Sequence, residues 1–355
     1  MHSSPSPATG LSAYGWDDSL DDAFAGHRAT GLLPARVVRV DRGQCDIVTD
    51  DGPARAVTEH GLDPVTGDWA ALRPADERDG PRLVALLPRR TAIVRASSAR
   101  HSRGQALAAN VDTVIVAVSL ADPLDAGRVE RLLALAWESG ARPVVALTKA
   151  DRAADPGEAI AEAAALAPGV DTVATSALTG EGVDDLAGAL GGTVVLLGVS
   201  GAGKSTLANA LLGEERFATG AVREVDGKGR HTTVWREMSP LPGGGVLIDT
   251  PGLRGVGLHD ATEGIEQVFG EIEELARDCR FGDCAHETEP GCAILAAIES
   301  GELPARRLAS YRKLLRENAW AASRTDARVR AEIAGRWKSI KRTQRAAYRF
   351  RDRQR

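Results

Sequence analysis

The sequence predicts a multidomain chain: an N-terminal β-barrel, a central α/β domain built on a parallel sheet, and a C-terminal α-helical module. Three observations predict it. From about Gly31 to Ser97 short β-prone runs are separated by turn clusters such as DRG, TDDG and DERDG. From Asn110 near-continuous apolar strands alternate with amphipathic helical stretches, the pattern of a parallel sheet covered on both faces. After GGGVLIDTPG the chain reads as helical and carries three of its four cysteines. With 355 residues, 43% of them hydrophobic, it is long enough to bury more than one core. The expected parts are an N-terminal extension over 1–30, a barrel over 31–98, the α/β domain over 99–258, the helical module over 259–334 and a basic tail over 335–355.

In the extension, residues 1–10 are Ser/Pro-rich and read as disordered, whereas LSAYGWDDSLDDAF (11–24) suits a short helix docked on the next domain. The barrel runs are ARVVRV, QCDIVT, ARAVT, DWAALR, RLVALL and AIVRA. Five or six short strands in about 65 residues fit a small barrel, with the OB-fold as first candidate. Cys45, inside QCDIVT, reads as a small buried strand residue. A basic face on this barrel would draw on Arg36, Arg39, Arg89, Arg90 and Arg95.

The α/β region holds the chemistry. GVSGAGKS, Gly198 to Ser205, follows the strand TVVLL and precedes the helix STLANALLG, the context in which a glycine-rich loop turns its backbone N–H groups onto phosphates. Gly198, Ser200, Gly201, Ala202, Gly203, Lys204, Ser205 and Thr206 are the phosphate-side candidates. Lys204 would reach the β and γ oxygens and act in catalysis, and Ser205 would ligate magnesium. Asp249, ending the strand in VLIDTPG, is expected to hold magnesium, usually through water, and the Gly252 N–H would meet the γ-phosphate. The intervening switch segment GKGRHTT (227–233) supplies Thr233 as second magnesium ligand, with Thr232 as substitute. Leu253 stands where many GTPases carry a water-orienting glutamine, so slow intrinsic turnover is expected and His231 is the candidate to position the water.

Base identity comes from TKAD and TSA. Asp151 can accept two hydrogen bonds from the guanine edge, and adenine would leave that carboxylate unpaired. Lys149 would lie along the base plane, Thr148 begins the same loop, and Ser176 with the Ala177 N–H forms the loop that meets the guanine oxygen. The base loops precede the phosphate loop, the reverse of the usual GTPase order, which a circular permutation explains: every part is present, rotated. The magnesium strand and switch then lead straight into the C-terminal module, so γ-phosphate loss can be felt there.

CRFGDCAHETEPGC gives Cys279, Cys284, His286 and Cys292 at Cys-x4-Cys-x-His-x5-Cys spacing. Three thiolates and one imidazole suit one tetrahedral structural zinc with no position open for catalysis. Glu287 and Glu289 read as solvated rather than ligating.

Four cysteines are too few for a disulfide scaffold in so long a chain. No run approaches the roughly 18 apolar residues of a membrane span, and MHSSPSPATG lacks the order of a secretory signal, so a cytoplasmic protein is expected. The net charge of −5 is uneven: GRWKSIKRTQRAAYRFRDRQR (335–355) carries nine Lys or Arg against one Asp, a net +8, leaving −13 before it. With Trp337, Tyr348 and Phe350 interleaved, that tail suits either nucleic-acid contact or a solvated helix end.

The barrel, the permuted site with GKGRHTT and DTPG, and the cysteine–histidine spacing together resemble the RsgA (YjeQ) family of bacterial ribosome-dependent GTPases, over roughly residues 31 to 320. PVTGDW (64–69) and LPRRTAIVR (87–95) are similar to family barrel segments, whereas Thr148 departs from the Asn of many GTPases and DTPGLRGVGL from the family's aromatic after Arg254. The resemblance implies a GTP hydrolase acting late in maturation of the 30S small ribosomal subunit, bound to its rRNA in the GTP state, stimulated by the subunit and released after hydrolysis. A monomer using magnesium with GTP, binding GTP and GDP and having no membrane partner, is expected. The rivals are a large-subunit assembly GTPase, an RNA-binding module gated by nucleotide with vestigial hydrolysis, and, more distantly, a phosphate-loop kinase.

Overall fold

The computed structural model describes residues 10–95, 105–217, 237–248 and 261–325. The Ser/Pro-rich start, the switch segment, Asp249 to Gly252 and the basic tail lie outside the described residues.

Five strands close the barrel: β1 (Leu33–Asp41), β2 (Gln44–Thr49), β3 (Gly52–Thr58), β4 (Trp69–Arg73) and β5 (Arg82–Leu86). Their order is β1-β2-β3-β5-β4, and β1 pairs antiparallel with both β2 and β4. A register shift between Val37 and Arg39 lets this one long strand bend across both partners. Small and branched apolar side chains fill the interior, where Ala35, Val37, Cys45, Ile47, Ala56, Ala70, Leu72 and Leu83 form one cluster. Cys45 is fully buried, as a strand residue of that core.

A second cluster covers the outside of this barrel. A 3-10 turn (Gly10–Tyr14) and α1 (Asp18–Arg28) set Leu11, Leu20 and Phe24 against Val48, Trp69, Ala71 and Leu87. Asp17 caps α1 by accepting from the Leu20 N–H and also takes both ends of the Arg90 guanidinium at 2.7 Å. The run at 92–95 is not a barrel strand: β6 (Ala92–Arg95) pairs with β7 (Gln105–Ala109) as a separate ribbon.

The central sheet has the order β10-β9-β8-β11-β13-β12, from β8 (Thr113–Ser119), β9 (Arg142–Thr148), β10 (Thr172–Thr175), β11 (Thr193–Leu197), β12 (Met238–Pro240) and β13 (Val246–Ile248). Only β12 runs antiparallel. Around it stand α2 (Ala126–Glu138), α3 (Pro156–Leu166), α4 (Val183–Ala189) and α5 (Lys204–Leu212). From β8 the chain winds outward through β9 to β10, then returns to β11 on the other flank of β8. That reversal is a topological switch point, where open α/β sheets place their ligands beyond the carboxyl ends of the strands. The return is a short splice, Leu190 to Gly192, in which a Cβ on Gly192 (φ +63°) would stand 2.1 Å from the Asp112 carboxylate.

Barrel and sheet are joined by buried polar contacts. Arg36, 1% exposed, donates to Thr193 Oγ1 at 2.9 Å and to the Asn110 carbonyl at 3.3 Å, and its guanidinium lies 4.3 Å from the Trp69 ring centre. Burial pushes its pKa down to about 9, with Asp112 and Asp68 opposing the fall. Gly67 (φ +96°) passes so close to β7 that a Cβ would meet the Ala109 carbonyl at 2.1 Å. Arg89 grips the fully buried Asp68 with bonds of 2.7 and 2.8 Å. These contacts correct the basic face expected on the barrel. Arg36 is interior, Arg89 and Arg90 are held by Asp68 and Asp17, and Arg39 lies within 4 Å of Asp41 and Asp46; the Arg95 side chain is outside the described residues.

The last part is helical: α6 (Thr262–Val268), α7 (Gly270–Arg277), α8 (Ala293–Ser300) and α9 (Ala305–Thr325). It shares a core with α2, for Val129, Leu133 and Ala136 cluster with Ile265, Phe269, Ile294 and Leu308. The approach of α6 is close enough that a Cβ on Gly264 would lie 2.0 Å from the Ala134 carbonyl. Among the described residues no helix is long and apolar enough to cross a membrane.

Candidate nucleotide site and thiol cluster

The phosphate loop runs from the buried end of β11 to the first turn of α5. Gly203, with φ +79°, takes the N-cap position in the left-handed region. The amides opening α5 lack carbonyl partners one turn back, and the helix dipole favours an anion there. Lys204 folds over the loop, donating to the Gly198 carbonyl at 2.8 Å and the Val199 carbonyl at 2.6 Å. Its ammonium is therefore held inside the curve of the loop, and Ser205 and Thr206 follow on the same turn.

Two loops reach this one from the neighbouring strands. Thr148, ending β9, puts its hydroxyl 2.8 Å from the Ala202 carbonyl, and Lys149 (φ +59°) donates Nζ to the Gly201 carbonyl at 2.7 Å. From beyond β10, Ser176 donates its hydroxyl to Asp151 Oδ1 at 2.7 Å, while its N–H is held by the Glu181 carbonyl. Asp151 is thus aimed by a side chain 25 residues away, with its other oxygen left to accept, and Ala177 follows directly. The structure brings together Thr148, Lys149, Asp151, Ser176 and Ala177 with Gly198 and Ser200 to Thr206. His231, Thr232, Thr233, Asp249, Gly252 and Leu253 lie outside the described residues.

A cavity of about 280 Å3 flanks the phosphate loop on the α2 side, lined by Ser119, Asp125, Arg128, Lys149 and Val199 to Ala202. One turn further along α2, Glu130 is fully buried. It accepts from Arg307 at 2.8 Å, Arg306 at 2.9 Å and Ser310 at 2.5 Å, all on α9. Arg307 also donates to the Val268 carbonyl and to Glu271 and covers the Phe269 ring. Asn318, buried on α9, accepts from the Ala261 N–H at 2.9 Å and donates to Thr262 Oγ1 at 3.1 Å, tying α9 to the start of α6. Sequence reading missed these groups. Glu130 carried one signal, a lone acid inside RVERLLALAW; Asn318 carried none.

The cysteine–histidine run folds into a compact set between α7 and α8. One ligand atom from each of Cys279, Cys284, His286 and Cys292 lies within 4.8 Å of every other. Cys279 Sγ is 3.9 Å from Cys292 Sγ, close to the ~3.8 Å edge of a tetrahedron with metal–sulfur bonds of ~2.3 Å. His286 Nδ1 lies 3.5 Å from both sulfurs. Burial raises the Cys279 thiol, but the Ala293 and Ile294 N–H groups opening α8 outweigh it and hold the pKa below its usual value. Desolvation, with Cys292 and Cys279 beside it, pushes Cys284 up to about 11. Thiols this close oppose each other's ionisation, and a shared cation removes the conflict. Burial, with the Arg312 charge, lowers His286, leaving a neutral imidazole able to ligate. Arg312 also clamps the His286 and Ala285 carbonyls, and Glu289 collects the Ala285, Glu287 and Thr288 N–H groups, which makes it a loop fastener. The four residues could hold a metal ion.

A phosphate loop at the switch point, a base loop tied to it from the strand that precedes it in sequence, and a barrel ahead of both define a circularly permuted GTPase. The family model described as RsgA GTPase matches residues 86–259. Small ribosomal subunit biogenesis GTPase RsgA of Streptomyces coelicolor is 61% identical over 349 residues, 95% of this chain and 94% of that one. The protein of the same name from Opitutus terrae is 42% identical over 96% of this chain and 98% of its own. The crystal structure of YjeQ from Thermotoga maritima superposes with a TM-score of 0.60 at 25% identity, over 81% of this chain and 98% of that one. YloQ, described as a circularly permuted GTPase, shares the fold with a TM-score of 0.59 at 21% identity, over 81% of this chain and 95% of its own. The chain belongs to the RsgA GTPase family.

Proposed function

We propose that this protein hydrolyses GTP to GDP and phosphate as a late maturation factor of the 30S small ribosomal subunit, binding the subunit's rRNA with GTP bound and leaving after subunit-stimulated hydrolysis. The observation that carries the GTP reading is the stitched pair of loops: Asp151 aimed by Ser176, with Thr148 and Lys149 bonded to consecutive carbonyls of the phosphate loop. The subunit is suggested by the relative of 61% identity, which spans nearly the whole chain and is named for small-subunit biogenesis. A cytoplasmic site of action follows from that role.

In this reading Lys204 and the amides opening α5 hold the phosphates, and Asp151 with the Ala177 N–H reads the base. Ser205, Thr233 and Asp249 would hold a magnesium ion, which neutralises charge on the β and γ oxygens. His231 positions the attacking water in place of a glutamine, since Leu253 has no group to do so. Cys279, Cys284, His286 and Cys292 would hold one structural zinc that stabilises the fold of the C-terminal part. Co-sedimentation with purified small subunits tests the partner. Binding that is tight with a non-hydrolysable GTP analogue and weak with GDP is expected; equal binding in both states would contradict release by hydrolysis.

A further inference from the structure

Thr148 is 4% exposed. Its hydroxyl has two polar neighbours, the Ala202 carbonyl at 2.8 Å and the Val118 carbonyl at 3.3 Å. Both only accept, so the single hydroxyl hydrogen is committed to backbone whichever of them it meets.

Guanine presents in order its exocyclic amine, N1–H, O6 and N7. The Asp151 carboxylate suits the two donors, and the Ala177 N–H suits O6. N7 is an acceptor and belongs to the ring that bears the sugar and phosphates, so it lies toward the phosphate loop. Two base-loop residues are bonded to that loop: Lys149, whose side chain is expected along the face of the base and not at its edge, and Thr148. An asparagine there has two amide hydrogens, enough to hold the loop and still donate to N7; threonine has one.

We propose that this protein reads guanine without a contact to N7: Thr148 is a positioning residue that ties the base loop to the phosphate loop, and selectivity rests on Asp151 and the Ala177 N–H. The proposal rests on the GTP reading of the site and deepens it. Replacing N7 by carbon should therefore leave affinity unchanged, whereas loss of the Thr148 hydroxyl should loosen the loops and weaken every guanine nucleotide alike.

The test is calorimetric titration of the full chain with GDP, 7-deaza-GDP and ADP, for the wild type, Thr148→Val and Thr148→Asn. The wild type is expected to bind GDP and 7-deaza-GDP within about twofold, below the effect of one typical hydrogen bond. Thr148→Val, of the same shape without the hydroxyl, should weaken both by a similar factor of about fivefold or more. Thr148→Asn should gain a preference for GDP over 7-deaza-GDP of about fivefold. A wild type that already disfavours 7-deaza-GDP to that extent would overturn the proposal without any variant, as would Thr148→Val with undiminished affinity or Thr148→Asn with no preference. ADP bound as well as GDP would instead sink the guanine reading itself.

Discussion

Asp151 and Cys279 show how single side chains are tuned by distant backbone and hydroxyl groups. In the proposed reading Asp151 recognises the base, so Asp151→Asn, which presents a donor where the carboxylate accepts, is expected to lose GTP binding and gain XTP binding in competition assays. Unchanged preference would move the base site elsewhere. His231→Ala should lower subunit-stimulated hydrolysis severalfold and leave nucleotide affinity as it was; equal turnover would return the water to another group. Cys279, held below its usual pKa by the amides of α8, favours the thiolate in the folded state. Its contribution to stability in metal-free protein is therefore present above the unfolded thiol pKa and is lost as pH falls through the lower folded value. In chelated protein near neutral pH, mass spectrometry should find Cys279 alkylated before Cys284, which is pushed the other way, and denaturant should erase the difference.

Among the elements, α2 links the two ends of the site. Its first turn lines the cavity beside the phosphate loop, and Glu130 on the next turn is gripped by α9. Glu130→Ala takes from Arg307, 3% exposed, one of its two carboxylate partners and leaves Glu271, so it should cost about 1.5–3 kcal/mol in denaturant unfolding. Glu130→Leu combined with Arg307→Met should cost less than that single change, because no buried charge remains. Asn318→Ala should cost about 1 kcal/mol or more through loss of the buried bonds to the Ala261 N–H and Thr262 Oγ1. Such groups were hidden in the sequence for a physical reason. The phosphate loop, TKAD, TSA and the cysteine–histidine run are contiguous strings whose spacing is their chemistry. Glu130 and Arg307 stand 177 residues apart, and nothing local to either reports the other. The arginines misread as a basic face failed the same way: Arg90 finds Asp17 across 73 residues and Arg36 finds Thr193 across 157.

For the whole molecule, the circular permutation decides what each domain touches. The splice at Leu190 to Gly192 delivers β11 to Thr193, where Arg36 of the barrel binds, so the phosphate-loop strand is anchored to the barrel at its start. At the other end, α6 is the next described element after β13 and packs onto α2. Arg36→Met keeps Trp69 covered and removes the tie. Calorimetric melting is expected to change from one transition to two, with barrel stability unharmed, since an apolar replacement of a poorly satisfied buried charge is often neutral or better. The sequence pattern made the three parts and their order legible, but the joint between them depends on close approaches, Gly67 to Ala109 and Gly192 to Asp112, that no periodicity reveals.

The most direct measurement is phosphate release from GTP by the purified chain, alone, with salt-washed small subunits and with large subunits. Slow release alone and strong stimulation by small subunits only is the predicted result. No stimulation, or stimulation by large subunits, would leave a permuted GTPase and contradict the role in small-subunit maturation.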